Sequence, residues 1–149
     1  MALFVTGCDN TRVYEEYTDF NERYWIVKEV PSFEFSIQDT LAHYNILGNV
    51  RNSVSYPWSR IFINYTLQDS TGVELHKGLL SDFLFDAKTG KPNGVSGLGD
   101  IFDHQLPLLK DYQFKRPGKY KVSFEQFMRT DTLQGILAVG LRVERSEKE

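Results

Sequence analysis

Cysteine is nearly absent: Cys8 is the single one in 149 residues. No disulfide forms within such a chain, so packing alone must hold its core. Beyond Cys8 no apolar run approaches the roughly 20 residues that a membrane-spanning helix needs. The one membrane attachment the sequence offers is therefore a covalent lipid. Basic residues are not in excess either. The formal net charge is −3, and without a basic surface the chain offers little to the phosphates of nucleic acid. Methionine is scarce, with two residues against an aromatic content of 14%, a balance that favours a core built from sheets over one built from helices.

Patterns that carry chemistry are missing too. There is no Gly-x-Ser-x-Gly elbow to expose a nucleophile. Gly94-Val95-Ser96-Gly97-Leu98-Gly99 lacks the basic residue and the spacing of a phosphate cradle. Asp100, Asp103 and His104 are the one compact group of hard metal ligands, and His43 and His76 would have to converge on them from distant strands. The group reads as a solvated polar loop. No metal, cofactor or catalytic set is expected.

What is present begins at the N-terminus. Leu3-Phe4-Val5-Thr6-Gly7-Cys8 reads as the end of a bacterial lipoprotein signal: an apolar segment for the translocon, small residues for the peptidase, and a thiol to accept diacylglycerol at Cys8. A complete signal has a basic beginning and a longer apolar core, which puts its start upstream of Met1. Residues 1–7 are then residual signal and 8–23 a tether, with Tyr14, Tyr17 and Phe20 packed on the domain edge. From Tyr24 the pattern has period two. Phe33, Phe35 and Ile37 alternate with polar residues, as do Tyr44, Ile46, Gly48 and Val50, then Ile61, Ile63, Tyr65 and Leu67, then Tyr120, Val122 and Phe124, and finally Val139, Leu141 and Val143. Residues 73–85 suit a partner strand, with a short helix open as the alternative. Thr89–Gly99 is the longest loop, Arg116-Pro117-Gly118-Lys119 a turn leading into a hairpin, and residues 146–149 a polar tail. The expected fold is all-β: a single-domain, two-sheet antiparallel β-sandwich of jelly-roll or immunoglobulin-like type over residues 24–145, behind a lipidated N-terminal tether.

The chain resembles the gliding-motility lipoprotein H family of the Bacteroidetes over nearly its whole length. The residues that carry the likeness are Gly7-Cys8-Asp9, the Trp25 region, Phe33-x-Phe35-x-Ile37-x-Asp39-Thr40, Arg51-Asn52, Tyr56-Pro57-Trp58-Ser59, Pro117-Gly118-Lys119-Tyr120, the Phe124–Arg129 run and Val139-Gly140-Leu141-Arg142-Val143. The resemblance implies a lipid-anchored protein of the periplasm or outer membrane whose partners are envelope proteins of the gliding and secretion apparatus. It implies no reaction and carries over one residue, the lipidated Cys8.

Three functional classes follow: an envelope-machine subunit, a glycan-binding module and an enzyme. A subunit needs a surface patch with aromatic or arginine anchors, and Arg51, Tyr56 and Trp58, close in sequence around Pro57, are the candidates. A glycan module would present Trp25 or Trp58 beside a polar cleft, and an enzyme would gather titratable groups in a pocket. The first is the expected class, with the glycan module as its alternative.

Overall fold

A computed structural model describes residues 11–147. Eleven strands follow one another: β1 (Arg12–Asp19), β2 (Tyr24–Ile26), β3 (Ser32–Ile37), β4 (Tyr44–Ser53), β5 (Arg60–Asp69), β6 (Glu74–Phe83), β7 (Val95–Ser96), β8 (Ile101–Tyr112), β9 (Gly118–Gln126), β10 (Thr132–Gln134) and β11 (Ile136–Arg145). All pairings are antiparallel. A five-stranded sheet has the order β1-β11-β4-β8-β7, a four-stranded sheet the order β3-β9-β5-β6, and a ribbon of β10 and β2 stands at one side. The expected all-β sandwich is what forms, with the ribbon added to its two principal sheets.

The alternation in the sequence becomes the core directly. Phe33, Phe35 and Ile37 of β3, Ile63 and Tyr65 of β5, and Val122 and Phe124 of β9 point from the smaller sheet at Val139 and Leu141 of the larger one, all in a single buried cluster. Rings fill one end of it: Phe114 lies 4.5 Å from Tyr120 and 4.8 Å from Tyr112, centroid to centroid. Gly48 lets the sheets close, because Leu80 and Phe124 come from the smaller sheet to within van der Waals contact of where its side chain would begin. Gly135, at φ 83°, is more tightly constrained, since a Cβ there would stand 2.5 Å from the Tyr56 backbone nitrogen.

Two expectations change, and one alternative left open is decided. Residues 12–19, expected within the tether, form β1, an edge strand of the larger sheet in register with β11 from Tyr14↔Val143 to Asp19↔Ala138. A strand sends Tyr14 inward to Phe35, 5.8 Å away, and Tyr17 outward, so the rings do not gather on one edge. The turn at Pro117 and Gly118 does not close a hairpin: it carries the chain from β8 in one sheet to β9 in the other. Residues 74–83 are strand, not helix, because β5 supplies a complete ladder from Arg60↔Phe83 to Gln68↔Glu74, and that overrides the broken alternation.

The sandwich has two distinct ends. At the lower end β1 begins beside Glu144 and β4 beside Arg145. At the upper end β1 finishes, β5 starts against Phe83, and Gln126 closes β9 opposite Ile63. Truncating Phe124 to alanine, in the middle of this core, is expected to lower stability by about 3–5 kcal/mol in urea unfolding. A loss below about 1 kcal/mol would show that the two sheets do not meet there.

Candidate interaction surface

The three residues expected to form a contact patch are distributed over the end of β4 and the loop that leads from it to β5 in the other sheet. Arg51 is on β4, where the alternation turns it to the outer face of the larger sheet. Its Nε donates to Asp103 Oδ1 at 2.8 Å, and its guanidinium lies 5.0 Å over the Tyr17 ring. Tyr56 points inward as a plug: it is buried, stacked on Phe85, and its hydroxyl donates to the Arg60 carbonyl at 2.7 Å. Burial pushes that phenol's pKa well up. Trp58, 50% exposed, stands at the upper end of the smaller sheet. Arg51 and Trp58 thus face away from each other, and the patch expected from their proximity in sequence does not form. Cys8 lies outside the described residues. Trp25 is completely buried, with Nε1 donating to the Glu29 carbonyl at 2.8 Å, so it offers no platform to a sugar.

Trp58 instead joins residues from three other segments. With Phe62, Leu79, Phe127, Met128 and Arg129 it lines an open groove of about 590 Å³. Leu79 is 51% and Phe127 60% exposed, high values for large apolar side chains in one place. The local chemistry explains the display. Gln126 is buried and acts as a bracket: its Nε2 donates to the Thr130 carbonyl at 2.8 Å while its Oε1 accepts from the Met128 backbone nitrogen at 2.9 Å. That bracket closes the turn after β9 and holds Phe127 and Arg129 outward. Phe127 N donates to the Phe62 carbonyl at 2.9 Å, which ties the turn to β5. Arg60 reaches from β5 across β6, with its guanidinium 4.9 Å from both the Phe62 and Phe83 rings and its Nε donating to Ser81 Oγ at 2.8 Å. Neither Arg60 nor Arg129 meets a carboxylate among the described residues.

Sequence reasoning missed Phe62, Leu79, Phe83 and Phe127 as members of this surface. One signal was available: on β5, Phe62 shares its face with Asn64, Thr66 and Gln68, and an aromatic ring alone on a polar face is on display. Nothing comparable marks Phe127, whose exposure follows from the Gln126 bracket.

The polar groups gather elsewhere. A cleft of about 600 Å³ is lined by residues that include Asp82, Asn93, Asp103, His104 and Gln105. Next to its His104, the buried Asn52 donates from Nδ2 to the Ser53 carbonyl, leaving Oδ1 to face His104 Nε2 at 2.8 Å. That arrangement places the imidazole proton on Nε2. His76 stacks on Tyr65 and Asp103 is taken by Arg51, so the histidines and aspartates do not converge. Among the described residues no group of three metal-ligating side chains is close enough to hold an ion, and no helix is long and apolar enough to cross a membrane.

Comparison with known proteins agrees on one family. A family model described as GldH lipoprotein matches residues 12–143. The gliding motility lipoprotein GldH homolog of Christiangramia forsetii is 30% identical over 97% of this chain and 91% of its own length. The gliding motility lipoprotein GldH of Flavobacterium johnsoniae is 28% identical over 98% of this chain and 92% of its own. Among solved structures, that of the infectious bursal disease virus Gx strain aligns with 98% of this chain but 36% of the viral chain, at 12% identity and a TM-score of 0.47, too low to read a shared fold.

His104 makes a prediction of definite sign. Burial holds its pKa below the ordinary 6.5, with Asp82 and Asp103 opposing. Between the folded and unfolded pKa values the unfolded chain therefore binds more protons. Stability is complete above the ordinary value and falls as the pH drops below it. Urea unfolding at about pH 7.5 and about pH 5.5 should show this loss, and His104→Gln should reduce it while lowering stability at the higher pH. An unchanged slope in the variant would assign the loss to other groups.

Proposed function

The chain belongs to the GldH lipoprotein family, and from that membership we propose that it is a lipid-anchored, non-catalytic envelope subunit of a gliding or secretion apparatus. It holds a protein partner against the Trp58–Phe127 surface. The observation that carries this reading is the surface itself: tryptophan, phenylalanine, leucine and methionine displayed together with Arg129 and, over Phe62, Arg60, neither of which meets a carboxylate among the described residues. That composition is typical of the energetic centre of a protein interface.

The position of the surface supports a protein partner over the bilayer. A lipid on Cys8 tethers the chain through the lower end, where β1 begins at Arg12. The eight residues of β1 then climb about 25 Å, and the aromatic surface stands at the far end of that climb. It faces away from the membrane that holds the anchor. Neither tryptophan borders the polar cleft, so the subunit reading is better supported than the glycan one.

Affinity purification from native envelopes after crosslinking tests the contact. Trp58→Ala and Phe127→Ala, both exposed and so expected to remain folded, should each weaken partner recovery by about thirtyfold, corresponding to about 2 kcal/mol per anchor. Arg51→Ala, on the opposite face, should leave recovery unchanged. Equal recovery by all three variants would remove the proposed surface. Cys8→Ala should move the protein from the membrane fraction to the soluble one, and a mass spectrum showing an unmodified thiol in the native protein would remove the anchor.

A further inference from the structure

The sandwich has four sheet edges, and they are unequally protected. β1 is lined with charge, at Arg12, Glu15, Glu16 and Asp19. β3 has six residues and places Glu34 and two serines on its exposed face, while β7, of two residues, covers Phe102 and Asp103 of β8, whose remaining edge is interrupted by Pro107. These are the ordinary devices that keep an edge from pairing with another chain. β6 has them mainly at its ends, with Glu74, Lys77 and a register shift in the lower part and Asp82 at the top. It is ten residues long and pairs with β5 alone, and from Glu74 to Asp82 no backbone bond is made on its other side among the described residues. Its outer row, opposite Gln68, Thr66, Asn64, Phe62 and Arg60 of β5, reads Glu74, Lys77, Leu79, Ser81, Phe83, with Leu75 at the register shift; Leu75, Leu79 and Phe83 are exposed.

The surroundings of this edge are equally specific. Alongside its upper part lies the open cleft lined by Asp82, Phe83, Asn93 and Gln105. The edge ends where Asn93 takes over: its Nδ2 donates to the Phe83 carbonyl at 3.0 Å and its backbone nitrogen to the Leu84 carbonyl at 2.9 Å. Above β6 the charge is positive. Arg60 is drawn over it by Ser81 and Phe83, Lys77 stands two places along from Leu79, and Arg129 borders the groove that Leu79 shares. The carboxylates at this edge are Glu74, 4.0 Å from Lys77, and Asp82 at its upper end, which faces the cleft with Asp103; Glu125 on β9 and Glu34 on β3 lie two and three strands away.

We infer that the partner is held as an added strand: an extended segment of another protein pairs along β6 from about Glu74 to Asp82, enlarging the four-stranded sheet. This rests on the protein-contact reading and specifies its chemistry. Main-chain hydrogen bonds to the free edge supply affinity, and alternate side chains supply selectivity. Apolar side chains on the outer row of the segment continue the surface of Leu79 and Phe83, and its carboxylates meet Arg60 and Lys77. A second copy of this chain fits less well. Antiparallel pairing of β6 with itself would set the aromatic upper end of one copy beside the charged Glu74–Lys77 end of the other, so that apolar side chains do not meet apolar ones.

Hydrogen exchange on the full chain, with two ten-residue synthetic peptides, tests this. One carries valine and glutamate in turn at every second position with threonine between them, so that both share one face of the strand, and the other has lysine in place of glutamate. The glutamate peptide should slow exchange of β6 amides between Leu75 and Asp82 by at least about tenfold, and the lysine peptide should not. N-methylation of alternate peptide residues should abolish the effect, and Arg60→Gln should reduce the preference for glutamate by about tenfold. Equal protection by both peptides, or protection unaffected by N-methylation, overturns the inference. So does protection that appears without peptide as protein concentration rises, which would assign the edge to self-association, or protection by anionic phosphatidylglycerol vesicles in place of peptide. If Trp58→Ala and Phe127→Ala lose the native partner while that partner leaves the β6 amides unprotected, the contact surface stands and strand addition is wrong.

Discussion

The guanidinium of Arg142 is the charge on which the larger sheet depends. It is 8% exposed, and its Nη1 and Nε reach Glu15 Oε1 at 3.0 Å and Glu144 Oε1 at 2.7 Å. A charge taken so far from water is tolerated only while its partners stay, and removing one partner of such a group costs about 3–5 kcal/mol. Glu15 therefore cannot leave β11, and β1 cannot peel from the sheet as a tether would. Asn49 adds a further bond from Nδ2 to Glu15 Oε2 at 2.9 Å, and Tyr17 lies directly on Gly140, where a Cβ would stand 2.9 Å from the ring. Both faces of β11 are thereby covered, which explains the nearly continuous burial of a strand whose alternate residues include glycine and arginine.

That constraint sets the direction in which the whole domain points. Because β1 is fixed along its length, the N-terminal segment must join at the lower end, and the aromatic surface at the upper end is held away from it. The surface in turn costs hydrophobic exposure that the fold had the means to avoid, since Gln126 and Arg60 hold Phe127 and Phe83 in place by hydrogen bonds and cation–π contacts that leave the rings in water. The β6 edge and the groove share Leu79, so one segment of a partner is able to engage both. The ion pairs of the other sheet lie outside that contact and act on stability, whereas the polar cleft borders the upper part of the β6 edge.

Much of the architecture was legible along the chain because it rests on period-two burial. Phe35, Ile37, Tyr65, Val122 and Leu141 each alternate with polar neighbours, and a strand with one face in a core needs no more than that to be recognised. The strand at Arg12–Asp19 was hidden because its burial comes from ion pairs and a glycine, neither of which leaves an apolar rhythm. The contact surface was hidden for a related reason. Arg51 and Trp58 are seven positions apart in the chain, yet Tyr56 turns inward between them and sends them to opposite sheets.

The sequence by itself therefore determined the class of the fold, the membership of the core and the family, since all of these reside in composition, local alternation and ordered motifs. Only the tertiary structure decided which aromatic side chains stay in water and which sheet edge is left open. Those outcomes depend on pairings between residues far apart in the chain, such as Phe62 with Phe127 and β6 with β5 alone. An exposed phenylalanine and a buried one are the same letter until the opposing sheet is in place to cover one of them.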